Sequence, residues 1–318
     1  MVAAVLAGPG LIRIEEQPVP DPRENEVRVR LEGCGVCGSN LAPWEGRPWF
    51  SYPFEAGQPG HEGWGYVDAI GSRVTTVGIN DRVALLSYRA FAEFDVAPES
   101  AVVRLPPEFD GQPFPGEALG CALNVFHRSD IRKGQTVAIV GIGFLGAVLT
   151  QLCARAGANV IAITRRPFAL EMARMMGAAE TIPMDDHCRI IEKVKRLTTD
   201  LGCDRVIEAV GAQWPLDLAG ELTRERGRLI IAGYHQDGPR QVNMQLWNWR
   251  GLDVINAHER ETAVYVNGIR DAVESMTAGN LNPQPLYTHE FSLERLASAL
   301  NAMKARPAEF LKAWVRIS

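Results

Sequence analysis

The sequence has no run of like charges: 33 lysines and arginines are interspersed with 38 acidic residues, for a formal net charge of −5. Nucleic acids and anionic membranes are bound through a concentrated basic footprint, so neither a nucleic-acid nor a membrane partner is expected. Nor is there a long unbroken apolar run. The most apolar stretch, 137–153, contains Gly141, Gly143, Gly146, Thr150 and Gln151, which suits a strand, turn and helix better than a membrane span. The short apolar stretch 2–7 has no basic residue before it and is broken by Gly8 and Pro9. It does not read as a secretory signal, and a cytoplasmic protein is expected. Cysteine is sparse, with six residues at 34, 37, 121, 153, 188 and 203. They are too scattered for a disulfide framework and remain available as metal ligands. No internal repeat or low-complexity tract is visible, which excludes solenoids and arrays.

What is present suits two globular domains: 318 residues, 46% apolar and 22% charged, enough for two substantial cores. Thirteen of the twenty prolines precede residue 121. There, short alternating segments such as 26–31 place Val27, Val29 and Leu31 on one face, the pattern of a β-rich, loop-rich domain. From about residue 122 the pattern changes to strand, glycine turn and helix, repeated: 136–140 then 144–156, 159–164 then 167–176, 205–208 then 214–223, followed by strands at 228–231 and 252–256. Such alternation predicts an α/β domain with a doubly wound parallel sheet covered by helices. The tail shows helical periodicity at 264–276 and 293–303 and an alternating run at 312–317, expected to pack back on the first domain. The expected division is 1–122, 123–257 and a returning segment 258–318.

Gly141-Ile142-Gly143-Phe144-Leu145-Gly146 follows an apolar strand and opens a helix, the context that a dinucleotide fingerprint requires. Gly141 permits the tight turn, Gly143 lets the backbone approach a pyrophosphate, and Gly146 lets the helix lie close to the sheet. The helix N-terminus offers amides and partial positive charge to the phosphates. At the end of the next strand, Thr164 stands where an acid would bind the ribose 2′-hydroxyl of NAD. Arg165 and Arg166 follow it, and guanidinium forks suit a 2′-phosphate, so NADP is favoured over NAD.

Two further stretches carry metal-binding side chains: Cys37-Gly38-Ser39 and Gly60-His61-Glu62. Thiolate, imidazole and carboxylate together can form a tetrahedral zinc site that leaves room for substrate, although Cys34 and Cys37 also have the spacing of a redox pair. In this order, ahead of the dinucleotide turn, they resemble the zinc-dependent alcohol and polyol dehydrogenases of the medium-chain dehydrogenase/reductase superfamily. The resemblance runs nearly end to end and is strongest at 37–41, 59–83, 134–157 and 205–211.

That resemblance implies a GroES-like β-rich catalytic domain joined to a Rossmann domain, with the active site in the cleft between them. It implies hydride transfer between a small alcohol or its carbonyl and NAD(P), with one catalytic Zn2+ as Lewis acid. Cys37 and His61 match zinc ligands. Glu117, 24 residues before Gly141, stands where the polyol dehydrogenases carry a ligand glutamate; Cys121, one helical turn later, is its rival. Glu62 matches an alternate ligand, and Ser39 the hydroxyl that takes the alcohol proton. Two positions depart from the family. Asn40 replaces an aspartate that supports the metal ligands from behind, a layer worth about ten- to a hundred-fold in affinity or activity, and Ala42 replaces a relay histidine found in several relatives.

The loop 87–90 lacks the four cysteines that hold a structural zinc in many relatives, so one zinc per chain is expected. A homodimer or homotetramer is expected through the edge strand 252–256. The loop 44–52, with Trp247 and Trp249, offers aromatic walls for substrate, and Glu45 and Arg47 hint at a polar one. Two other readings are a zinc-free quinone or enoyl reductase and a catalytically silent NADP-binding relative.

Overall fold

Val27, Val29 and Leu31 turn to one side of an extended segment and are wholly buried, the alternation that a sheet with one packed face requires. The computed structural model describes residues 1–317, which divide into two units. The first comprises Met1–Gly120, Arg260–Thr277 and the chain from Asn282 onward; the second comprises Cys121–Glu259 and Ala278–Leu281.

The first unit contains β1 (Val2–Gly8), β2 (Leu11–Glu16), β3 (Glu26–Gly35), β4 (Gly63–Ile70), β5 (Arg82–Leu85), β6 (Phe94–Pro98) and β7 (Val102–Arg104). The second contributes β8 (Thr136–Val140), β9 (Asn159–Thr164), β10 (Glu180–Pro183), β11 (Cys203–Glu208), β12 (Thr223–Ile231) and β13 (Asp253–Asn256). The chain returns to the first unit for β14 (Tyr287–Ser292) and β15 (Lys312–Arg316). The helices are α1 (Leu41–Trp44), α2 (Gly116–Ser129), α3 (Phe144–Arg155), α4 (Pro167–Met175), α5 (His187–Leu197), α6 (Gln213–Leu222), α7 (Met244–Arg250), α8 (Thr262–Thr277) and α9 (Leu296–Ala305). None is long and apolar enough to cross a membrane.

In the first unit the main sheet runs β14-β15-β3-β4-β5-β7, with β6 also paired to β3. Strand β15 pairs antiparallel with β3, setting Trp314 opposite Gly35. The core gathers Leu6, Val29, Leu31, Val67, Leu85 and Phe91 with Leu296, Leu300 and Met303 of α9. This pairing brings the first residue of β15, Lys312, beside the end of β3, where the site begins.

In the second unit six parallel strands run β10-β9-β8-β11-β12-β13, the expected doubly wound sheet. Val137–Val140 are wholly buried, as strands covered on both faces must be. The chain winds outward from β8 to β10, then restarts on the other side of β8 with β11. This reversal is the place where such sheets open a ligand crevice at the carboxyl ends of their strands. The turn after β8 and the loop after β11 consequently lie together, and a Cβ on Gly141 would overlap the side chain of Val210. Strand β12 starts at Thr223 rather than near 228; Arg224, Glu225 and Arg226 interrupt the apolar pattern, which therefore marks only the later part of the strand, and Arg224 reaches Asp204 at 2.6 Å.

Candidate active site

The two metal-binding stretches meet in the first unit, on loops at the carboxyl end of β3 and just ahead of β4. Cys37 heads the short turn Gly38–Asn40, and Asn40, 2% exposed, ties the stretches together. Its Oδ1 accepts from the Cys37 amide at 2.9 Å, and its Nδ2 donates to the Pro59 carbonyl at 3.0 Å. An amide N–H can only donate and a carbonyl only accept, so the orientation of the Asn40 amide is unambiguous. His61 Nδ1 lies 2.9 Å from the same Pro59 carbonyl and must donate to it. The imidazole therefore presents Nε2 to the site, 3.5 Å from Ser39 Oγ. A ligand histidine characteristically gives its other N–H to a carbonyl in this way.

Donor atoms of Cys37, His61 and Glu62 lie within 4.8 Å of one another, the one such grouping among the described residues. Burial alone would lower the His61 pKa; the hydrogen bond to Cys37 and the charges of Cys37, Glu117 and Glu62 outweigh it and push the value up to about 10. At neutral pH the imidazole is thus held as a cation by anionic surroundings. A sulfur, nitrogen and oxygen donor set that recruits positive charge fits a zinc ion, which would displace that proton on binding.

Glu62 is fully buried and paired. Lys312 Nζ, itself 4% exposed, stands 2.7 Å from one carboxylate oxygen and 2.5 Å from the other. A Cβ on Gly35 would overlap that carboxylate, so the glycine makes room for it. Burial would lower the Lys312 pKa, but Glu62, Cys37 and Glu117 raise it overall. The same carboxylate, added to burial, pushes the Cys34 thiol well up. Cys34 is therefore a poor thiolate, which argues against the redox-pair reading with Cys37. Glu117, in the first turn of α2, is not in the group of three, but its charge is felt by both His61 and Lys312. Cys121 is half-buried on the next turn.

Sequence reasoning missed Lys312, whose partner is 250 residues away, and Tyr88. The Tyr88 ring is 70% exposed with its centroid 6.3 Å from that of His61, in the loop 87–90 that lacks cysteines. Glu45 is occupied by Lys304 at 3.1 Å and Arg47 at 3.6 Å. Trp44 is buried and bonded to Asn301, Trp247 packs against the second unit's own core, and Trp249 is 85% exposed.

In the second unit Gly141 adopts φ +102°, while a Cβ on Gly146 would overlap the Gly141 carbonyl. A Cβ on Gly143 would meet nothing within 4 Å. The backbone there faces open space just before α3, whose first residues are Phe144 and Leu145, so a phosphate can approach the positive helix end. Thr164 is buried, Arg165 is exposed and Arg166 leans back to the Ile142 carbonyl at 3.4 Å.

Two family models match: an alcohol dehydrogenase GroES-like domain over residues 23–107 and a zinc-binding dehydrogenase domain over 145–274. The chain is 27% identical to a sorbitol dehydrogenase of Bacillus subtilis, covering 99% of this chain and 97% of that protein. It is 26% identical to the human sorbitol dehydrogenase, covering 95% and 92%. The solved structure of galactitol-1-phosphate dehydrogenase from Escherichia coli superposes with a TM-score of 0.85 at 22% identity, over 99% of this chain and 100% of that one.

Replacing Lys312 by Met leaves the Glu62 charge buried without its partner, which should cost about 3–5 kcal/mol. Chemical unfolding should show that loss, and the double variant Glu62→Gln with Lys312→Met should lose less than the two single variants summed. A Lys312→Met protein as stable as the wild type would contradict the pairing.

Proposed function

Because this chain belongs to the zinc-type medium-chain dehydrogenase/reductase superfamily, we propose that it is an NAD(P)-dependent oxidoreductase of polyols, sugars or secondary alcohols, working through one zinc per chain. The observation that carries this is the convergence of Cys37, His61 Nε2 and Glu62, in a chain that also bears a dinucleotide turn open at Gly143. The proposed division is 1–122 for the catalytic domain, 123–257 for the dinucleotide domain and 258–318 for the returning segment.

Cys37, His61 and Glu117 hold the metal, and water or Glu62 completes four ligands. Glu62 also pairs with Lys312, so that contact and a metal would share its carboxylate. A zinc ion held there would supply Lewis acidity that lowers the pKa of an alcohol hydroxyl, and a bound nicotinamide would supply the hydride acceptor or donor. Ser39, half-buried beside His61, takes the hydroxyl proton and hands it outward. Ala42 is 3% exposed and offers no relay, so solvent receives the proton. Tyr88 forms one wall for the substrate. Strand β13, at the edge of its sheet, pairs copies of the chain in a dimer or tetramer, and the protein works in the cytoplasm.

Elemental analysis of protein purified without chelator should find one zinc per chain. A cofactor-reduction screen over polyols, sugars and secondary alcohols should find turnover with the same sample. Cys37→Ser should abolish both, whereas Cys121→Ser should keep both; loss of zinc and turnover in Cys121→Ser would instead give Cys121 the ligand role proposed for Glu117.

NADP is the proposed partner, since Thr164 leaves no carboxylate to meet a ribose 2′-hydroxyl and Arg165 stands exposed beside it. A charge-assisted contact with the 2′-phosphate at a partly sheltered strand end contributes about 1.5–3 kcal/mol, on the order of ten- to a hundred-fold in affinity. Arg165→Ala should remove most of that preference in kcat/KM without lowering turnover at saturating cofactor. Equal or better efficiency of the wild type with NAD would reject the assignment.

A further inference from the structure

We propose that Glu208, His235 and Arg240 form a positioning relay that fixes one wall of the dinucleotide crevice. The inference rests on the dinucleotide role proposed above. It concerns three side chains of the second unit that the metal chemistry does not use.

Glu208 closes β11, and its side chain is wholly buried. A buried carboxylate persists only where donors satisfy it, and here three do. One oxygen accepts from the amides of Val210 at 2.7 Å and Gly211 at 2.8 Å. The other lies 3.0 Å from His235 Nε2. The second ring nitrogen, His235 Nδ1, lies 3.1 Å from Arg240 Nε. A guanidinium can only donate, so Nδ1 carries the lone pair and the ring proton sits on Nε2, aimed at Glu208. The imidazole is neutral here and has committed both nitrogens. Arg240 Nη2 then donates to the Gly211 carbonyl at 3.1 Å, which closes a ring of contacts from Glu208 through His235 and Arg240 back to the 209–211 loop.

The ring ties together two loops that leave the carboxyl ends of adjacent parallel strands, β11 and β12. Their backbones touch only because both sides are glycine: a Cβ on Gly211 would run into the Tyr234 backbone, and one on Gly233 would overlap the Gly211 amide. The 209–211 loop in turn borders the fingerprint. Ala209 donates to the Val140 carbonyl at 2.8 Å, and the Val210 side chain fills the space that a Cβ on Gly141 would need. Where that loop stands therefore decides how much room lies beside Gly141, at the switch point where a parallel sheet binds its dinucleotide. Positioning of this kind is set by the groups behind the contact surface rather than by those that touch the ligand.

The test is NADPH and NADH binding to the full-length protein, followed by nucleotide and protein fluorescence, with thermal unfolding measured on the same samples. His235→Ala and Arg240→Met should each weaken dinucleotide binding on the order of tenfold, while His235→Gln, whose amide can still donate to Glu208, should recover most of it. If the wild type binds neither dinucleotide, the dinucleotide reading itself fails. If the wild type binds and the variants bind equally well, the relay is overturned. It is also overturned if binding and unfolding temperature fall together and His235→Gln restores neither, since the three side chains would then be only a structural clasp.

Discussion

The Pro59 carbonyl accepts from two side chains at once, and that shared acceptor orders the candidate metal site. Since the oxygen cannot donate, His61 must give it Nδ1–H and is left with Nε2 facing Cys37, while Asn40 must give it Nδ2–H and is left with Oδ1 for the Cys37 amide. One neutral acceptor thus locks two ligand stretches that are separated along the chain into a single geometry. The departure from aspartate at position 40 becomes intelligible on this basis. An ionised aspartate has no hydrogen to offer Pro59, whereas asparagine serves both neighbours and adds no further carboxylate beside Glu62 and Glu117.

Charge balance is handled by a different contact. Lys312, delivered by the last strand, neutralises Glu62 at 2.5–2.7 Å, and the pair is hidden from water on both sides. What remains around His61 favours positive charge, since Cys37, Glu117 and Glu62 push its pKa up against the effect of burial. The second unit repeats the logic with a different outcome. There, Glu208 is offset by two backbone amides and a neutral histidine rather than by a cation, so the negative charge is spread into loops and organises them.

Local motifs were legible in the sequence because their chemistry is local. The fingerprint glycines and the strand 136–140 fall where they were expected, since a tight turn between strand and helix is written in six adjacent residues. The Cys37 and His61 stretches could be named because each carries its own functional atoms, whereas the two contacts of Asn40 depend on Pro59 and Cys37 standing on either side of it. The Lys312 contact could not be seen: a lysine opening an alternating run looks like a solvated strand end, and only the pairing of β15 with β3 buries it. His235 and Arg240 were equally silent. Nothing marks a histidine in a polar loop as the partner of a carboxylate 27 residues earlier until two parallel strands set their loops side by side. Helix α5 has no such local mark in the apolar pattern, although Asp186 caps it by accepting from the Arg189 amide at 2.8 Å.

The central claim is that Cys37 and His61 Nε2 are prearranged around a single metal position. Crystal diffraction at the zinc absorption edge, from protein produced with zinc in the medium, tests it most directly. The account predicts one anomalous peak per chain, about 2.3 Å from Cys37 Sγ and about 2.0 Å from His61 Nε2, with His61 Nδ1 still on the Pro59 carbonyl. A peak bound through His61 Nδ1, or a zinc-loaded protein with no peak between these two side chains, would contradict it.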